Sequence, residues 1–133
     1  MKVLITMYGD EKLKDVDTPE GIMRTMQAWG EFGQAAAEAG VLVACDALED
    51  ARTATTVRVA GGGRHVTDGP FIETKEQLGG FMVLEVRDLD EALEWAARTP
   101  WNRDGCVTEI RPLMDYDAYA ARAAAATEEI AAS

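Results

Sequence analysis

Two strand–helix–strand units joined by a glycine-turned hairpin predict an α+β protein of ferredoxin-like arrangement, an antiparallel sheet with both helices on one face. Three observations carry this. Apolar stretches at 2–8, 41–48, 81–86 and 106–113 have the length and composition of strands. Apolar residues at helical spacing follow the first and third of them. Between the halves, Thr55–Val59 alternates polar and apolar before Gly61-Gly62-Gly63 turns the chain back through Arg64–Thr67. The 133 residues suit one domain, and 47% hydrophobic against 28% charged residues is a composition that packs a core.

The elements follow in order. Residues 2–8 form the first strand, and the charged stretch Asp10 to Asp17 is a loop. Thr18-Pro19-Glu20 starts a helix: Thr18 caps, Pro19 suits the first helical position, and Glu20 favours the positive end of the dipole. Ile22, Met26, Trp29, Gly33 and Ala36 give its buried face, with Met23 and Phe32 beside them, and Gly40 ends it. Asp88 and Glu91 have the spacing of a capping box for the second helix. Leu89, Ala92, Leu93, Ala96 and Ala97 line its inner face, and Pro100 lies past its end. Residues 115–132 are alanine-rich, helix-forming and weakly amphipathic, with Glu128 and Glu129 at the unfavourable end of the dipole. The expected division is a domain at 1–114 and a helical extension at 115–133.

Charge narrows the function classes. Asp and Glu number 24 against 13 Lys and Arg, a net charge of −11. Nucleic acids and anionic lipid are both bound through cations, so neither is an expected partner. The initial apolar run is too short for a secretory signal, and no stretch of about 18 apolar residues occurs. A cytoplasmic location is the expectation. Cys45 and Cys106 lie in apolar stretches, where buried free thiols are expected.

Residues 68–80, Asp-Gly-Pro-Phe-Ile-Glu-Thr-Lys-Glu-Gln-Leu-Gly-Gly, carry the densest chemistry. Pro70 stiffens the corner after Asp68 and should push Gly69 toward extended geometry. Thr74 is placed to cap a single helical turn through Leu78, and Gly79-Gly80 to let the backbone reverse into the next strand. A carboxylate on a rigid corner suits a general acid or base, with Glu73 and Glu76 close by to tune it. The competing structural reading is an Asx turn at Asp68 with solvated charges after it.

This block, with the strand Phe81–Val86, the helix residues Leu89–Ala96, the opening Tyr8-Gly9-Asp10 and the closing Glu109–Leu113, resembles the DGPF branch of the YCII-related domain family. The resemblance covers roughly 1–113. It implies a dimeric α+β barrel of ferredoxin-like subunits, hence a homodimer, in agreement with apolar positions too plentiful for one face of a sheet. It implies less about activity: most members have none established, and some are encoded beside extracytoplasmic-function sigma factors. One relative in chloroaromatic breakdown looks like a dehydrochlorinase, and muconolactone isomerases share the barrel.

Two functions follow as expectations. In the first, the chain is a cofactor-independent enzyme of proton transfer or elimination. Asp68 is its acid or base, His65 a weaker candidate, and Glu73 and Glu76 assist. Tyr8, Arg58, Phe71 and Lys75 contact the substrate. A shorter branch of the family carries a His–Asp pair, but His65 stands three residues before Asp68, so a regular strand sends them to opposite faces. In the second, the same corner closes a pocket in a non-catalytic ligand-binding or regulatory module linked to a sigma factor. One histidine and two distant cysteines give no metal pattern, and no cofactor is expected. Trp29 and Phe32 read as core, whereas Trp101-Asn102-Arg103, in a loop after Pro100, is placed to line a pocket.

Overall fold

The computed structural model describes residues 1–10 and 18–133, so the expected loop at 10–17 lies, apart from Asp10, outside the described residues. The elements run β1 (Lys2–Gly9), α1 (Pro19–Glu38), β2 (Leu42–Ala47), β3 (Thr55–Ala60), β4 (Gly63–Asp68), β5 (Gln77–Glu85), α2 (Leu89–Ala97), β6 (Cys106–Pro112) and α3 (Tyr116–Ala132). Four strands form one sheet in the order β2-β5-β1-β6, every neighbouring pair antiparallel. Since β1 and β2 both run against β5, they are parallel to each other, and α1 makes the crossover between them. The fold is therefore the α+β, ferredoxin-like arrangement the pattern predicts.

Alternation along the strands decides where the core lies. Val3, Ile5 and Met7 of β1 and Met82 and Leu84 of β5 are essentially inaccessible. Val3, Ile5, Met82 and Leu84 share one core with Phe32 and Ala36 of α1 and Ala92, Trp95 and Ala96 of α2, so both helices cover the same face. Burial of each large side chain contributes about 1.5–3 kcal/mol. Phe32 joins the two helices, its ring edge-to-face with Trp29 at 5.7 Å and with Trp95 at 5.9 Å. The caps form as their residues dictate: Thr18 Oγ1 accepts from Gly21 N–H, and Asp88 Oδ1 from Glu91 N–H. Glu91 reaches back one residue further than a standard capping box, accepting from the N–H of Arg87.

Several local expectations fail. The single turn at Thr74 is absent, because β5 starts at Gln77 and Thr74 Oγ1 instead donates to the carbonyl of Glu76. Gly79 and Gly80 do not reverse the chain but run within β5. Ile22, Met23 and Met26 of α1 are exposed, and so are Leu89, Leu93 and Ala97 of α2, expected on its inner face; the core takes Phe32 and Ala36 from α1 and Ala92, Trp95 and Ala96 from α2. The hairpin β3–β4 forms its own two-stranded sheet, turned by Gly61 and Gly62 at positive φ. Val57, Val59 and Val66 on one of its faces are all more than half exposed. The helix α3 has no buried residue. No helix among the described residues is long and apolar enough to cross a membrane.

Candidate functional site

The apolar residues of the sheet and of α1 line a half-open cavity of about 330 Å³. Trp29, Phe32 and Gly33 form its helical wall. Met7, Gly79 and Gly80 supply the floor, Leu42 and Cys45 to Ala47 the β2 side, and Trp101 closes one end. The volume lies at the small end of the range usual for small-molecule sites.

The Gly79-Gly80 pair explains how this wall is built. Met7 pairs with Gly80 and Tyr8 with Leu78, which leaves Gly79 as the extra residue of a β-bulge. The indole of Trp101 lies against that bulge. A β-carbon at Gly79 would stand 2.6 Å from its Cη2, and one at Gly9 3.1 Å from its Cζ2. At Gly80 a β-carbon would stand 3.0 Å from the carbonyl oxygen of Asp46. The ring is fixed by its Nε1–H, which donates to the carbonyl of Tyr8 at 2.9 Å. The two glycines are thus spaces for close approach, one for an aromatic ring and one for the neighbouring strand.

The residues singled out at the DGPF segment are scattered by comparison. Asp68 and His65 lie on the same regular strand, β4, three positions apart and hence on opposite faces. Asp68 pairs with Thr55 on the face that carries Val57, Val59 and Val66. His65 pairs with Arg58 on the other face, so Arg58 does not stand beside the Asp68 carboxylate. Both acid–base candidates are exposed, and the Asp68 side chain makes no hydrogen bond or ion pair among the described residues. The corner is held instead by Gly69, whose N–H donates to Ala54 O at 2.7 Å and whose carbonyl accepts from Thr56 Oγ1 at 2.7 Å. Gly69 has φ +96°, not the extended geometry expected before proline; lacking a β-carbon, it can take that value and turn the chain tightly. Phe71 is 67% exposed and Glu73 also faces solvent.

Lys75 and Glu76 do come together, in a shallow hollow of about 290 Å³ with Asp10, Gly105 and the first residues of β6, Cys106 and Val107. Tyr8 falls on the sheet face opposite Met7, so its ring leaves the helix side and only its carbonyl serves the cavity. Among the described residues no group of three or more His, Cys, Asp or Glu is placed to hold a metal ion.

The thiols also differ from expectation. Both are free, but Cys45 is exposed and Cys106 half-buried, because β2 and β6 are the edges of the sheet. Cys45 looks into the cavity. Desolvation there, and then the negative charge of Asp46, push its pKa above the ordinary thiol value of 9.0. Its neutral form is therefore the resident one. Motif reading centred on charged residues misses this site. Only the loop aromatic at Trp101 signalled it, since Trp29 and Phe32 carry the same apolar pattern as any core helix.

An α+β sheet with one helix-covered face, a glycine-bulged strand and an apolar cavity beneath the first helix defines the class. The model of the YCII-related domain matches residues 1–116, and the chain belongs to that family. An uncharacterised protein of Rhizobium meliloti (strain 1021) is 35% identical over 117 residues, 87% of this chain and 94% of that one.

Proposed function

We propose that this chain is a small-molecule-binding domain whose site is the cavity under α1, with the DGPF corner as a structural element. The carrying observation is the cavity: about 330 Å³ walled by Trp29, Phe32 and Trp101, in a molecule whose candidate acids and bases at the corner stand in solvent. The Asp68 side chain is exposed and makes no hydrogen bond or ion pair among the described residues that would position it against a substrate.

Thermal unfolding with a panel of small aromatic compounds tests it. A ligand at about 100 times its Kd adds roughly 2.7 kcal/mol of stability. The informative variant is Gly33→Leu. Gly33 lines the cavity, and a β-carbon there meets nothing within 4 Å, so the side chain fills the space without a clash at its root. The stabilising shift should survive Asp68→Asn and vanish in Gly33→Leu. The reverse pattern would return the site to the corner and revive the enzyme.

The proposal includes a homodimer that packs sheet on sheet. Leu4, Tyr8, Phe81 and Val83 lie half-buried on the face away from the helices, and Val107 beside them is 48% exposed. A second copy is the natural cover for such a face. Light scattering on dilute protein should give twice the mass of the chain, and a monomer would refute it.

A further inference from the structure

Resting on that assignment of the cavity, we propose that its ligand is a neutral planar molecule of one or two fused rings, and that carboxylates of the same shape are excluded. Among the described residues the wall supplies no cation: neither lysine nor arginine lines it. Its one acidic residue is turned away. Cys45 pairs with Met82 on the helix side of the sheet, so Asp46, paired with Phe81, directs its side chain to the opposite face. There its Oδ1 accepts from the N–H of Ala47 at 3.1 Å. The remaining titratable group of the wall, the Cys45 thiol, is held neutral by its surroundings.

An anion entering this space would lose its hydration and gain no partner. It would also approach a molecule of net charge −11. Neutral aromatic surface meets a better reception. Trp101 lies against the bulge at Gly79, and Trp29 stands on the helical wall, so aromatic contacts are available from both sides. The volume suits a monocyclic or bicyclic molecule and is too small for a nucleotide cofactor. This excludes the aromatic acids and ring-opened dicarboxylates to which a chloroaromatic-pathway enzyme would be suited.

Calorimetry with 1-naphthamide and 1-naphthoate, which share a shape and differ in charge, tests the inference on the full chain at neutral pH. The amide should bind, the carboxylate at least about tenfold more weakly, and Gly33→Leu should lose the amide. Alkylation of Cys45 by N-ethylmaleimide, followed by peptide mass, gives a readout that needs no variant: the amide should slow it and the carboxylate should not. If the carboxylate binds as tightly as the amide and also protects Cys45, the ligand class is wrong while the cavity stands. If neither compound binds, or if the amide binds without protecting Cys45, the cavity assignment falls and this inference with it.

Discussion

Residue by residue, the DGPF-to-Gly-Gly block divides into parts with different work. Gly79 gives way to Trp101, whose ring is pinned by its bond to Tyr8 and cannot retreat freely. Gly79→Ala should therefore cost about 1–3 kcal/mol through overpacking, visible as a lower urea midpoint with altered tryptophan fluorescence. An unchanged midpoint would mean that the ring is not held where the structure puts it. At the corner, the backbone of Gly69 rather than the carboxylate of Asp68 makes the bonds. Asp68→Asn should thus change stability by less than about 0.5 kcal/mol. Gly69→Ala should cost more, about 1–2 kcal/mol, because alanine at φ +96° is strained. The opposite order in paired melts would make Asp68 the structural anchor. The sequence marked these residues as special but not the reason. That Gly79 faces Trp101 depends on two segments 22 positions apart meeting, which no local pattern encodes.

At the scale of elements, the strands and helices were legible because each repeats a physical pattern over several residues. Thr18-Pro19, Asp88 with Glu91, and the glycine turn at Gly61-Gly62 mark their boundaries by capping and turn chemistry. The start of β5 was not legible: Gln77-Leu78-Gly79-Gly80 has low strand propensity and joins the sheet through its partners β1 and β2. Periodicity likewise extended the buried face of α1 to Ile22 and Met26, since it reports which residues share a stripe and not how far the sheet reaches beneath it. The helix α3 presents a separate case. It buries nothing, so its folding rests on alanine propensity and on its cap, where Asp115 Oδ1 accepts from Ala118 N–H. Deleting residues 115–133 should leave the melting temperature of the remaining domain within a few degrees of the full chain, by differential scanning calorimetry. A large drop would show that α3 covers the domain in solution.

For the whole molecule, fold and site differ in how they are written into the chain. The core needs only alternation and helical spacing, and Val3, Ile5, Met82 and Leu84 sit where those rules send them. The cavity is the place where α1 and the sheet stop touching, between Trp29 and the bulge at Gly79, and a gap of that kind leaves no motif. The most direct test of the account is the amide spectrum of the protein by nuclear magnetic resonance as 1-naphthamide is added. The side-chain N–H signals of Trp29 and Trp101 and the backbone signals of Gly33 and Gly80 should move together, while those of Asp68, Gly69 and Phe71 stay in place. Movement at Asp68 to Phe71 with the two tryptophans unchanged would contradict it and put the ligand at the corner.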